Sequence, residues 1–165
     1  MPTQCSQTEM DFGSSGGRKL VGAFDGGAIT SNGGVVLLGA ADRAIRLTER
    51  LARCFRDFRV AEAVTHSVED LLRQRIFGLA LGYEDLIDHD ALRFDPAITA
   101  VLGKPTGQLA GKSTLNRLEH AGKIGLDRHH KLDHDVPAIE RLPVDIFLDA
   151  HREPPIRIVI DLDAT

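Results

Sequence analysis

Asp161 and Asp163 are the residues whose type and spacing point most directly to chemistry. They close the run Ile156-Arg157-Ile158-Val159-Ile160-Asp161-Leu162-Asp163-Ala164-Thr165. In a strand, successive side chains point to opposite faces. Ile156, Ile158, Ile160 and Leu162 then make one branched-apolar face, and Asp161 and Asp163 sit side by side on the other. Three consecutive β-branched residues, Ile158, Val159 and Ile160, favour strand over helix. Carboxylate oxygens suit Mg²⁺, which takes one or two protein carboxylates and completes its shell with phosphate and water. The expectation is a strand that carries two acids to its tip for phosphoryl chemistry. Its place at the close of the chain reads as the start of a domain whose remainder is missing.

A second set of residues could hold phosphate by charge alone. Arg43, Arg46, Arg50 and Arg53 recur at spacings of three and four, away from the apolar stripe Leu37, Ala40, Ala44, Leu47 and Leu51. Arg56 and Arg59 follow, and six arginines against Asp42, Glu49 and Asp57 leave a local +3. Such a face could contact a nucleic-acid backbone. A solvated helix face with local ion pairs accounts for the same spacing.

Other arrangements fail on geometry. Asp88-His89-Asp90 would diverge by about 100° per residue on a helix, so the three cannot face one ion. His130 and His134 stand at i, i+4 within a stretch that also holds His129, Asp133 and Asp135, but no third ligand falls at a motif spacing. Gly111-Lys112-Ser113 resembles the end of a phosphate loop, yet Thr106 stands where that loop needs glycine and no apolar strand precedes it. Gly26, Gly27, Gly33 and Gly34 match no nucleotide fingerprint and read as two tight turns.

The elements that would position these residues are mostly helical. Residues 1–19 are polar and Gly/Ser-rich and read as a flexible arm. A short strand at residues 20–24 and a turn at Asp25-Gly26-Gly27 suggest a small hairpin completed by residues 28–30. Helical periodicity begins at Val35, and Thr48 is a candidate cap for a second helix. Ser67-Val68-Glu69-Asp70 predicts a capped helix that runs to Leu81 and stops at Gly82, with apolar residues on both sides. Arg75 falls within its apolar face and needs a partner, for which Asp85 and Asp88 are the candidates. Asp95-Pro96 starts another helix that Gly103 ends, and Ser113 is read as the cap of a further one. Pro137 and Pro143 punctuate two helical pieces, and Glu153-Pro154-Pro155 forms a stiff hinge. The fold class is mainly α with a small N-terminal β element, an α+β arrangement. It divides into an arm (1–19), a mostly helical region (20–153) and the final strand (154–165).

The composition bounds the partners. A net charge of −4 excludes a uniformly basic chain, so any DNA contact must come from local clusters. Cys5 and Cys54 have no partner spacing, which argues against a disulfide or zinc framework and fits a reducing cytoplasm. No apolar run approaches the ~18 residues of a membrane span, and the N-terminus lacks a secretory pattern.

Several stretches together resemble a bacterial insertion-sequence transposase group, the thirteen-eighty group of the DDE class. They are Ala23-Phe24-Asp25-Gly26-Gly27-Ala28-Ile29-Thr30-Ser31, residues 42–55, residues 75–93 with Leu79-Ala80-Leu81-Gly82-Tyr83-Glu84-Asp85-Leu86, residues 109–119, and Ile158-Val159-Ile160-Asp161-Leu162-Asp163-Ala164-Thr165. The motifs fall in that family's order from about Val21 onward. The resemblance implies a polynucleotidyl transferase with a ribonuclease-H-like α/β core, in which three carboxylates hold two Mg²⁺ for in-line displacement at DNA ends. By that likeness the final strand here is the first of the core, with Asp163 as the first carboxylate and Asp161 as alternative or supporting ligand. The family's second aspartate and its glutamate have no counterpart within residues 1–165, so the stretch is expected to be a truncated transposase, inactive alone. The implied partners are DNA terminal repeats and a second copy by self-association, with no membrane and no small-molecule cofactor. Arg43, Arg46, Arg50 and Arg53 become DNA-binding candidates, and Lys112 and Arg117, with Lys123, form a second basic group. The alternative is a non-catalytic helical DNA-binding or dimerisation module. A complete Mg²⁺ phosphohydrolase with Asp163 as nucleophile would need further motifs after the strand.

Overall fold

A computed structural model describes residues 9–15, 18–23, 29–104, 108–122, 131–151 and 153–160. The chain divides into two units, one within residues 1–31 and the other spanning residues 32–165.

The first unit is a β-hairpin. Strand β1 (Glu9–Ser15) pairs antiparallel with β2 (Arg18–Ala23), from Glu9 opposite Ala23 to Ser15 opposite Arg18. The register shifts between Asp11 and Ser14, and Gly13 there has φ +79°, a conformation that favours glycine. Part of the stretch read as an arm is therefore strand, and it supplies the partner expected of residues 28–30. Residues 24–28 lie outside the described residues, and Ile29 and Thr30 are not in a strand.

The second unit is mostly helical. Its helices are α1 (Val35–Ile45), α2 (Leu47–Ala52), α3 (Val68–Ala80), α4 (His89–Leu92), α5 (Pro96–Val101), α6 (Lys112–Glu119) and α7 (Val136–Ala150). Strands β3 (Phe55–Asp57) and β4 (Leu132–His134) pair antiparallel, with Phe55 opposite His134 and Asp57 opposite Leu132. His134 is thus a strand residue, and the helical i, i+4 relation expected between it and His130 does not apply. His129 and His130 lie outside the described residues.

Helix α3 is the central element. Ser67 accepts from the Asp70 amide and Asp70 accepts from the Ser67 amide, a reciprocal cap. The helix ends at Ala80 with Leu81 as its C-cap and Gly82 at φ +92°, within one residue of the expected end at Leu81. Leu71 and Leu72 pack into one apolar cluster with Leu115, Leu118 and Leu132. Phe77 packs into a second with Val35, Leu92, Ile98 and Leu109. Burying each such side chain contributes roughly 1.5–3 kcal/mol. Arg75, on the same helix, donates to Glu119 Oε1 at 2.5 Å and to the carbonyls of Tyr83 and Glu84. Its partner is thus Glu119 from α6, not Asp85 or Asp88.

Three helix boundaries differ from expectation. The break between α1 and α2 is at Arg46, whose φ is +56°, and Thr48 lies inside α2. Helix α6 starts at Lys112 after Gly111, one residue ahead of Ser113. Helix α7 runs unbroken through Pro143. That proline sits beyond the first turn, where it removes one backbone donor and crowds the Ile139 carbonyl, a cost of about 3 kcal/mol that the helix carries without breaking. By contrast, Asp95 accepts from the Ala97 and Ile98 amides and Gly103 has φ +73°, as the sequence predicts for α5.

The expected strand over 156–165 is not formed where it is described. Residues 156–160 have no strand pairing, and Ile156, Ile158, Val159 and Ile160 are all exposed. A strand is defined by a neighbouring backbone, and among the described residues none pairs with this segment. Alternation alone does not supply one. Residues 161–165, which hold Asp161 and Asp163, lie outside the described residues.

Candidate nucleic-acid interface

Helices α1 and α2 are joined by a buried polar cluster. Asp42 accepts from the Thr48 amide at 2.9 Å and from the Thr48 hydroxyl at 2.6 Å. Arg73 Nε donates to the same carboxylate at 3.1 Å and to Thr48 Oγ1 at 3.3 Å, and its fork also meets Glu69. Asp42 therefore pairs with Arg73 of α3 rather than with Arg43, Arg46, Arg50 or Arg53. It sets the angle at which α2 leaves α1.

That angle brings three of the predicted arginines together. Arg46, Arg50 and Arg53 line a cleft of about 450 Å³ shared with Ile146, Asp149 and Ala150 of α7. Each has a carboxylate partner. Arg46 and Arg53 both bind Glu49. Arg50 Nη1 donates to Asp149 Oδ2 at 2.7 Å. The Arg46 guanidinium beside Glu49 holds its carboxyl below the usual range, against a smaller opposing effect of burial. Three arginines against two carboxylates leave a net +1 at this cleft. Arg43 is exposed at the last turn of α1 and has no ion-pair partner among the described residues.

The second predicted group divides. Lys112 is held by Asp90, which accepts its backbone amide at 3.1 Å and lies 3.3 Å from its Nζ. Those contacts, the backbone one first, keep the Asp90 carboxyl below its ordinary range. Lys112 thus fastens the start of α6 to α4. Arg117 is exposed one turn further along. Lys112 and Arg117 border a shallow depression of about 520 Å³ with Asp85, Ile87 and Asn116. Lys123 lies outside the described residues.

On its other side Arg117 borders a cleft that sequence reading missed. It measures about 320 Å³ and is lined by Arg59, Val60, Ala63, Leu71, Thr114, Arg117, Lys131 and Leu132. Arg59 follows β3 and Lys131 precedes β4, and the Phe58 amide donates to the Lys131 carbonyl at 2.9 Å. The pairing of two short strands far apart in sequence is what gathers these cations. Neither Phe55-Arg56-Asp57-Phe58 nor Lys131-Leu132-Asp133-His134 alternates apolar with polar, so no local pattern in the sequence signals it.

Titratable groups elsewhere serve the fold. His89 is buried against Gly78, and its Nδ1 receives Gln74 Nε2 at 3.2 Å. Gln74 also exchanges two hydrogen bonds with the Ala110 backbone. Burial, then Arg75, lowers the His89 imidazole from its ordinary value. Asp70 caps α3 and accepts from Lys104 at 2.7 Å. Among the described residues no three His, Cys, Asp or Glu side chains are grouped to hold a metal ion. No helix among them is long and apolar enough to cross a membrane.

A family model described as transposase DDE domain group 1 matches residues 12–165. No curated protein matches the chain, and neither does any solved structure.

Proposed function

This chain belongs to the transposase DDE domain group 1 family, and from that membership we propose that it serves in cutting and joining DNA at insertion-sequence ends by Mg²⁺-dependent phosphoryl transfer. The match from residue 12 to residue 165 carries the reading, because it takes in the helical unit and the Asp161/Asp163 pair together. Within the DDE class the motif order supports the thirteen-eighty group. Residues 20–153 are the DNA-handling region, and 154–165 would become the first strand of a ribonuclease-H-like core once neighbouring strands lie alongside. Asp163 is the first catalytic carboxylate and Asp161 its alternative or supporting ligand.

The donor set fits the ion, since two neighbouring carboxylates offer the hard oxygen ligands that Mg²⁺ takes. When bound, Mg²⁺ supplies activation of a water or DNA 3′-hydroxyl and stabilisation of the leaving oxygen. The chain's own residues offer those carboxylates from one short segment and hold DNA phosphates with Arg43, Arg46, Arg50, Arg53, Lys112 and Arg117. Residues 1–165 supply one ligand position of the three such a core uses, so alone they leave DNA uncut. DNA is the partner, in the cytoplasm, and self-association would bring two DNA ends together.

The test is a duplex carrying the insertion-sequence terminal repeat against a shuffled duplex of equal length, read by fluorescence anisotropy. Preference for the repeat supports the reading, and equal affinity removes end recognition from it. Incubation with Mg²⁺ should give no strand cleavage. Cleavage that disappears in Asp163→Ala would show that these residues suffice for catalysis.

One observation favours the second reading, a non-catalytic helical DNA-binding or dimerisation module. The two apolar clusters are complete without any residue of 156–160. A chain ending at residue 153 that keeps both its thermal midpoint and the repeat preference would assign DNA recognition to the helical unit alone.

A further inference from the structure

We propose that the cleft between Arg59, Arg117 and Lys131 seats a backbone phosphate of DNA, an inference that rests on the DNA reading above and moves its main contact away from α1 and α2. Three elements deliver one cation each: the segment after β3, the last turn of α6, and the residue before β4. The volume of about 320 Å³ is well beyond that of one water. The walls combine these cations with Val60, Ala63, Leu71 and Leu132, and apolar walls strengthen attraction between a cation and an incoming anion.

The charge balance separates this cleft from the one at α7. Arg59 is held by Asp57 through Nε at 2.8 Å and Nη2 at 2.6 Å. That contact fixes the plane of the guanidinium and uses two of its five N–H donors. Arg117 and Lys131 have no ion-pair partner among the described residues. Three cations against Asp57 leave +2 here, where the arginines of the α7 cleft keep only +1. A phosphate would find one pre-oriented fork and two unmatched charges.

Arg117 also borders the depression at Lys112 and Asn116. An extended polyanion crossing Arg117 would meet basic groups on both sides, which a mononucleotide would not span. The ligand is therefore a nucleic-acid strand bound through its backbone.

The experiment measures binding of a fluorescein-labelled 20-base-pair duplex to the full chain across a salt series. Phosphate contacts set the slope of log affinity against log salt, at about 0.9 per contact. The Arg117→Gln/Lys131→Gln variant is expected to lose nearly two such contacts and to bind about tenfold or more weakly at low salt. The charge-preserving Arg117→Lys/Lys131→Arg variant is expected to recover most of the slope. If the double variant melts early, Arg117→Gln alone, at an exposed helix position, should lower the slope by about one. A wild-type chain that binds DNA with the slope unchanged in these variants overturns this inference and leaves the DNA reading standing. A wild-type chain that binds no duplex at low salt overturns both.

Discussion

Asp42 and Thr48 sit six residues apart on different helices, and one carboxylate takes both the amide and the hydroxyl of the threonine. The chain reverses between them at Arg46 in a left-handed conformation. Non-glycine residues avoid that region unless the surroundings hold them there. Here the Asp42 contacts do the holding, since Thr48 is fully buried and Arg73 closes the cluster from α3.

Asp42→Ala is therefore expected to destabilise the helical unit by roughly 2–4 kcal/mol, because it strands a buried hydroxyl and frees Arg73 beside it. Thr48→Val keeps the shape and removes only the hydroxyl, with a cost of about 1 kcal/mol. Urea denaturation of the two variants checks the order. Equal costs would show that the carboxylate does no more than bind the hydroxyl.

Gly78 gives His89 its place. A Cβ at residue 78 would lie 2.7 Å from His89 Cε1 and 2.9 Å from Nε2. The imidazole cannot swing away freely, because Gln74 holds its other face. Gly78→Ala should cost about 1–3 kcal/mol by overpacking. Combined with His89→Ala, the glycine change should lose most of its cost, a coupling that a double-mutant cycle measures directly.

Stability should fall as the solution is acidified from neutrality. Burial lowers the imidazoles of His89 and His66 below their ordinary value in the folded chain. Below about pH 6.5 the unfolded chain takes up those protons first, so acid favours unfolding until the folded imidazoles also protonate. Asp57 and Asp70 act in a separate, lower window. Hydrogen bonding from Arg59 holds Asp57 below its ordinary value, while at Asp70 burial pulls upward and Lys104 and Ser67 outweigh it. Their stabilisation is present above about pH 4 and is lost beneath it. Urea midpoints at pH 7.5 and 5.5 should differ, and His89→Gln should narrow the gap. An undiminished gap would assign the upper window to His66 alone.

Glu49 holds both Arg46 and Arg53. If those arginines meet DNA phosphates, Glu49→Gln releases them, and affinity for duplex DNA should rise several-fold with a steeper salt slope. Unaltered affinity would return both arginines to the role of a solvated, ion-paired helix face. Exposed pairs of this kind contribute little to stability, so the thermal midpoint should move by no more than about 2 °C.

What the sequence determined by itself lies within single turns of chain. Ser67 with Asp70 and Gly82 bracketed α3, and Asp95-Pro96 with Gly103 bracketed α5. In each, cap and stop depend on hydrogen bonds and φ preferences only a few residues apart. The two-sided burial of α3 was also legible, because its apolar residues fall on both faces. The pairing of β3 with β4, the partners of Arg50 and Arg75, and the meeting of Arg59, Arg117 and Lys131 needed the tertiary structure. Those contacts join residues tens of positions apart, where closing the chain competes with many alternatives that local pattern does not rank. The stretch 156–160 marks the boundary between the two. Its alternation is a property of the sequence, but a strand exists only where another backbone lies alongside, and none of the described backbone pairs with it.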